Sequence, residues 1–153
     1  MQDLSRISFG ATSAVTSSLA LLIGLTQLGV SKEGIIGALL VIAFADNLAD
    51  SLGMHVYAES KSRGYSKAST VMNYLVRLGL TLFIVVIVVV LPTVYALAAS
   101  IAIGLCVLAA LSYFIAKAHN LKPGREMVSH LVVAVLVLVA SQLVGSAIKA
   151  AFG

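Results

Sequence analysis

The longest stretch without a charged residue runs from Leu78 to Ala116, and its length restricts what the chain can fold into. Its 39 residues would form a single helix of about 58 Å, roughly twice the thickness of a bilayer's hydrocarbon core. The stretch must therefore reverse direction. Pro92-Thr93 is the only strong helix breaker inside it. We predict two membrane-spanning helices here, at residues 74–91 and 94–116, joined by a very short turn.

Three further stretches are long and apolar enough to cross a bilayer, at residues 8–28, 34–58 and 127–148. The composition agrees: 60% of the residues are hydrophobic and 10% are charged, against about a quarter charged in a soluble domain. Val85 to Val90 is rich in β-branched residues, but an open strand in lipid would leave its backbone groups unpaired. We therefore expect an all-α membrane protein with five transmembrane helices in a single domain, residues 1–153.

The distribution of basic residues predicts the orientation. With a cytoplasmic N-terminus, eight of the ten Lys and Arg residues lie on the inner side: Arg6, Lys61, Arg63, Lys67, Arg77, Lys117, Lys122 and Arg125. Only Lys32 and Lys149 then lie on the other side, so the positive-inside rule places the C-terminus outside. Because these residues lie in short loops, the net charge of +4 does not indicate a nucleic-acid partner. The expected partner is the lipid bilayer, with the chain a multi-pass protein of the plasma (inner) membrane.

The second predicted span carries two aspartates deep within the bilayer. Asp46 and Asp50 are four residues apart, so a regular helix places them on one side, with Met54 one turn further along. An Asp at the centre of a membrane helix costs about 2.5–3.5 kcal/mol on insertion scales. Either one carboxylate holds a proton or a cation lies between the two. The alternative is structural: the aspartates accept hydrogen bonds from Ser and Thr hydroxyls of the first span.

Competition between a proton and a metal ion for one site is the physical basis of proton-coupled cation transport. Two carboxylates and a thioether form a ligand set that suits Mn²⁺ or Fe²⁺ better than Mg²⁺. At the end of the same span His55 and Glu59 are again four residues apart, with Tyr57 between them. They form either the mouth of a metal path, which makes Glu59 a fourth candidate ligand, or an interfacial ion pair.

No motif indicates an enzyme. The sequence contains no Walker loop, no HExxH, no Ser-His-Asp arrangement and no dinucleotide fingerprint. The single cysteine, Cys106, lies within an apolar stretch and excludes both a disulfide framework and a thiolate cluster. We expect no permanently bound cofactor, with Fe²⁺ or Mn²⁺ as transported substrate.

The sequence Ala49-Asp50-Ser51-Leu52-Gly53-Met54, followed by Tyr57 and Glu59, resembles the second-helix signature of the vacuolar iron transporter family. Phe9-Gly10 and Gly24-Leu25 fit the spacing of that family's first helix. The resemblance implies five spans and a homodimer whose first helices line a path between the protomers. It also implies export of Fe²⁺ or Mn²⁺ from the cytosol in exchange for protons, with Asp50 and Met54 on the path.

Two departures from the family pattern affect the expected mechanism. Where the family's first helix has Asp-Gly, this chain has Ser13-Ala14, so Asp46 is the candidate replacement for that carboxylate. The family's Glu-rich cytoplasmic domain is absent, because the link between spans two and three is only about residues 59–73. A second hypothesis is therefore a non-transporting membrane protein, related to the family, with an assembly or partner-binding role.

Overall fold

The structure, a computed structural model, describes the backbone of residues 2–61 and 67–153 and the side chains of residues 8–60 and 70–153. These residues form helices and short links, with no strand among them. The helices are α1 (Gln2–Leu28), α2 (Lys32–Val41), α3 (Asn47–Lys61), α4 (Lys67–Val90), α5 (Thr93–Ala118) and α6 (Pro123–Phe152). A π-helical turn, Ile42–Asp46, joins α2 to α3, so these two form one continuous helix.

Five helical stretches of the described chain are long and apolar enough to cross a membrane, which confirms the five predicted spans. They are Ser8–Leu28, Lys32–Ser60, Thr70–Val90, Thr93–Ala118 and Pro123–Phe152. The third and fifth begin earlier than predicted. Pro123 is accepted in the first turn of α6 because its missing N–H has no partner to lose there. The earlier start at Thr70 brings Asn73 into the span.

The predicted break at Pro92 is confirmed. Helix α4 ends at Val90, α5 begins at Thr93, and the β-branched stretch before the break is helical. The last carbonyl groups of α4 have no backbone N–H donors further along the helix. Lys32 Nζ, at the start of α2, donates hydrogen bonds to the carbonyl oxygens of Val89 at 2.8 Å and Leu91 at 3.1 Å. The second span is thereby tied to the end of the third.

Helix α1 lies at the centre of the bundle and contacts α2, α4, α5 and α6. Small residues allow the close approach. A Cβ atom on Gly145 of α6 would lie 2.6 Å from the carbonyl oxygen of Gly24, and one on Gly104 of α5 would lie 2.6 Å from Leu19 Cδ1. Large apolar side chains fill the space around α1: Leu19, Leu22, Ile35, Leu39, Val88 and Leu108 are almost fully buried.

One residue of the charge prediction was wrong. Arg77 was counted with the basic residues of the inner loops, yet its side chain is fully buried within the bundle, on the side of α4 that faces α1 and α3. Of the other basic residues, Lys117, Lys122 and Arg125 are exposed around the α5–α6 link. The side chains of Arg6, Lys61, Arg63 and Lys67 lie outside the described residues.

Candidate functional site

The polar interior of the bundle is organised around Arg77. One turn to either side along α4, Asn73 and Thr81 are also buried, so a polar stripe faces the neighbouring helices. Arg77 Nη2 forms an ion pair with Asp50 Oδ2, and Arg77 Nε donates to Asn47 Oδ1 at 3.1 Å. A guanidinium with two such acceptors is compensated in both charge and hydrogen bonding on that side. Arg77 is therefore the partner that keeps Asp50 in the bilayer.

Asn47 connects this cluster to the π-helical turn. Its backbone N–H bonds to the carbonyl oxygen of Ile42, five residues back. The carbonyl of Ala43, which the same N–H would use in an α-helix, instead accepts from Asn47 Nδ2 at 3.3 Å. The same side-chain nitrogen also donates to Thr81 Oγ1 at 3.1 Å. The Asn47 side chain thus hydrogen-bonds both to the backbone of the π-helical turn and to Arg77.

The inward side of the second span follows a spacing of four residues through the π turn. The buried residues are Ile35, Leu39, Ala43, Asn47 and Ser51, with Ala58 nearer the end of the span. The π turn, Ile42–Asp46, lies within this row, and Asn47 directly follows it. Helix α5 keeps the same spacing from Ala96 to Ala116 without a π turn, so the spacing by itself does not require one.

The cluster is closed at its deep end by two hydroxyl groups. Thr81 Oγ1 donates to the carbonyl oxygen of Arg77 at 3.0 Å and accepts from Ser18 Oγ of α1 at 3.4 Å. Beyond Thr81, the buried residues of α4 are Ile84, Val85 and Val88. The buried polar side of α4 therefore ends at the contact between Ser18 and Thr81.

Asp50 is the part of the cluster that reaches the surface of the single chain. Its side chain is 46% exposed, whereas that of Arg77 is 0% exposed. Oδ2 accepts both of its bonds, one from Arg77 and one from Ser13 Oγ of α1 at 3.4 Å. No described residue donates to Oδ1. The Ser13 contact is a hydrogen bond from a hydroxyl of the first span to an aspartate, as the structural alternative predicted. It leaves Oδ1, the other carboxylate oxygen, without a donor among the described residues.

An open groove of about 410 Å³ begins beside Ser13. It is lined by Phe9, Thr12, Ser13, Thr16 and Ser17 of α1 and by Val137 of α6. A larger and almost wholly apolar groove continues along α1 and α6 past Gly24 and Gly145. Ser13 both lines this groove and donates to Asp50, so the open, hydroxyl-bearing side of α1 adjoins the carboxylate at Ser13.

The other predicted ligands lie apart from this cluster. Asp46, in the π turn, is exposed and makes no hydrogen bond or ion pair with the described residues, and Met54 is half-buried. Glu59 is exposed and pairs with His55, with 3.2 Å between Oε1 and Nε2, while His55 Nδ1 lies 3.0 Å from Thr70 Oγ1. The contact between these two residues that the ion-pair alternative predicted is therefore present. Within the described part of one chain, no three His, Cys, Asp or Glu residues are grouped to hold a metal ion.

Arg77, Asn47 and Asn73 are the site residues that sequence reasoning missed. Arg77 counts among the loop charges in the sequence pattern, and Asn47 and Asn73 carry no charge that would single them out. A usable signal existed, because Asn73, Arg77 and Thr81 recur every four residues in an otherwise apolar stretch. Such a stripe predicts a buried polar face opposite the aspartates.

Comparison with protein-family models, with curated proteins and with solved structures finds no match to this chain. The resemblance to the vacuolar iron transporter family stays a prediction from residues of the first and second helices and from the five spans. What the geometry adds is a multi-pass bundle with one half-exposed intramembrane carboxylate, held on its inner side by a buried arginine.

Proposed function

We propose that this protein is a transporter for a divalent metal cation, Fe²⁺ or Mn²⁺, with Asp50 as the carboxylate that receives the ion. The observation that supports this most is the asymmetric environment of Asp50. Arg77 and Ser13 occupy Oδ2, while Oδ1 accepts nothing from the described residues and half of the side chain is exposed. Ionisable residues within membrane spans are rare and usually mark ion pathways.

Arg77 acts in this proposal as a resident counter-charge. With no cation bound, its guanidinium neutralises Asp50 and offsets the penalty of a carboxylate within the bilayer. A cation that approaches from the groove along α1 meets Oδ1 and weakens the pairing with Arg77. Protons compete for the same carboxylate, so a proton gradient drives export of the metal from the cytosol.

A homodimer completes the site in this proposal. An exposed carboxylate at this depth is costly against lipid, so the surface with Asp46 and Asp50 needs a protein or water cover. A second copy of the chain provides it and supplies further oxygen ligands from its own Asp46. Met54 adds a thioether, which favours Fe²⁺ and Mn²⁺ over Mg²⁺.

The test is cation flux in proteoliposomes containing purified protein, measured for Mn²⁺, Fe²⁺ and Mg²⁺ with and without a pH gradient. Wild-type protein should move Mn²⁺ or Fe²⁺, faster with the gradient. Asp50→Asn should reduce flux to the level of empty vesicles. Because that variant leaves Arg77 uncompensated, Asp50→Asn/Arg77→Met is measured beside it as a charge-balanced variant and should be equally inactive.

Glu33→Gln is the matched control, because it makes the same acid-to-amide change in the same span but at an exposed position near the end. It should transport as the wild type does. Flux that persists in the charge-balanced variant would contradict the role of Asp50.

A second candidate function is an assembly or partner-binding role. It is favoured by one observation, that Arg77 already neutralises Asp50 without any ion. It predicts no divalent flux from the wild-type protein under any gradient, a result that would overturn the transport proposal.

A further inference from the structure

The contact of α4 with the second span, which comprises α2, the π turn and α3, is polar over only half of its length. From the end nearest the link between α3 and α4, it carries His55 and Thr70, then Ser51 and Asn73, then Asn47 and Arg77, and finally Thr81. Past Thr81 the buried residues of α4 are apolar. This row of paired side chains is termed the polar seam. It extends from one end of the bundle about 16 Å along α4, from Thr70 to Thr81, at 1.5 Å per residue.

Two buried atoms in the polar seam have no hydrogen-bond partner among the described residues. They are Asn73 Oδ1 and Arg77 Nη1, on side chains that are 2% and 0% exposed. Leaving a buried polar group unsatisfied costs about 1–3 kcal/mol, and more for a charged one. Such groups in folded proteins usually bind an ordered water molecule.

The chemistry of the two atoms identifies the missing partner. Arg77 Nη1 is a donor and Asn73 Oδ1 is an acceptor. An anion would satisfy only the arginine, and a metal cation would be repelled by it. Water accepts from the first atom and donates to the second, so water molecules can satisfy both atoms without any other ligand.

Asn73 Oδ1 and the aliphatic part of the Arg77 side chain lie against the same point of α1. A Cβ atom on Gly10 would be 1.8 Å from Asn73 Oδ1 and 3.3 Å from Arg77 Cγ. The glycine therefore admits the asparagine oxygen between α1 and α4, one turn above the arginine. The seam from there to His55 and Thr70 is lined by polar side chains.

We propose that water enters the bundle along the polar seam from the end where His55 and Thr70 lie, and that it reaches Asn73 and Nη1 of Arg77 but does not pass the arginine to Asn47. This hydrated half-channel brings solvent to the inner side of the Asp50–Arg77 pair, opposite the groove along α1. The fixed positive charge of Arg77 closes it to cations. The inference concerns hydration and holds whether or not the protein transports a metal.

Two asparagines of the wild-type chain form a matched pair for the test. Asn73 and Asn47 are both buried, but Asn47 has all its side-chain bonds within the protein, whereas Asn73 Oδ1 has none. Asn120, exposed in the α5–α6 link, serves as the solvent-contacting reference. Protein labelled with ¹⁵N-asparagine is reconstituted in lipid vesicles, and polarisation transfer from water protons is measured by solid-state NMR. The signals are assigned with Asn73→Ser and Asn120→Ser variants.

The expected result is rapid build-up of the Asn73 Nδ2 signal, close to that of Asn120 and several times faster than that of Asn47. Build-up at Asn73 as slow as at Asn47 would show that the seam is dry and overturn the inference. Equally fast build-up at Asn47 would also contradict it, because water would then pass Arg77. The measurement uses no metal and no flux, so its outcome is separate from that of the transport assay.

Discussion

At the scale of single residues, the energetics of the bundle centre on the unequal burial of two opposite charges. Arg77 is fully buried and Asp50 is half-exposed. Removing the carboxylate of Asp50 therefore leaves the buried positive charge of Arg77 without a partner. Removing Arg77 leaves the negative charge of Asp50, which solvent or a partner can reach. A buried ion pair is not in itself strongly stabilising, because desolvation offsets most of the attraction. Removing only one residue of the ion pair is nevertheless costly, because the other residue is left as an uncompensated charge.

This inequality predicts the outcome of a double-mutant cycle. Asp50→Asn should lower the free energy of unfolding by about 3 kcal/mol, the lower end of the range for an uncompensated buried charge. Adding Arg77→Met should recover most of that loss, since no charge then remains to be compensated. Unfolding of purified protein by sodium dodecyl sulfate, followed by circular dichroism, gives the values. Additive effects of the two substitutions would show that the pair is not coupled.

Gly10 is the second residue with a defined steric role. Because a Cβ atom there would overlap Asn73 Oδ1 at 1.8 Å, Gly10→Ala should push α1 and α4 apart and cost about 1–3 kcal/mol. Gly79→Ala is the control: its added Cβ meets nothing within 4 Å, and alanine favours the helix by up to about 1 kcal/mol. Thermal unfolding in detergent should therefore shift in opposite directions for the two variants. A stable Gly10→Ala protein would contradict the described contact.

At the scale of secondary-structure elements, the second span shows where sequence patterns stop being informative. Its position and length follow from hydropathy, because a helix is the only way for this apolar stretch to satisfy its backbone in lipid. The π turn does not follow from local sequence, since it depends on Asn47 bonding both to Ala43 and to residues of α4. A regular helix predicts that Asp46 and Asp50 face the same side and share one site. In the structure only Asp50 contacts the polar cluster around Arg77.

The dependence of the π turn on one side chain is testable. Asn47→Ala removes the acceptor of Arg77 Nε and the donor to the Ala43 carbonyl, so we expect a loss of about 2–3 kcal/mol in unfolding free energy. Leu48→Ala, the adjacent residue on the exposed side, should change the stability by much less. Denaturation of both variants under the same detergent conditions makes the comparison. Similar losses for the two would argue against a special role for Asn47.

At the scale of the whole molecule, the architecture was predictable and the site only partly so. Three observations were sufficient to predict five helices: the lengths of the uncharged stretches, the break at Pro92, and the need to pair every backbone group in lipid. Asp50 was identifiable because an acid in an apolar span is costly. Arg77 was not identified, because its place near the end of a span made it look like a loop charge, and only the contact with α1 and α3 shows that it points inwards.

The orientation of the bundle in the membrane is a prediction of the same scale. The excess of Lys and Arg at the end that carries the N-terminus, including the exposed Lys117, Lys122 and Arg125, predicts that this end faces the cytosol. Alkaline phosphatase fused after Gly153 should be active, because it folds only outside the cytosol. Green fluorescent protein fused at the same point should be dark. A fluorescent fusion with an inactive phosphatase would reverse the orientation.

The claim that Asp50 receives a divalent cation is tested most directly by binding of Mn²⁺ to the protein in nanodiscs of phosphatidylcholine. Electron paramagnetic resonance measures the loss of the free aqueous Mn²⁺ signal during titration. We predict saturable binding by the wild type and by Glu33→Gln, and none above empty nanodiscs for Asp50→Asn/Arg77→Met. Equal binding by the charge-balanced variant and the wild type, or no binding by the wild type, would contradict the account.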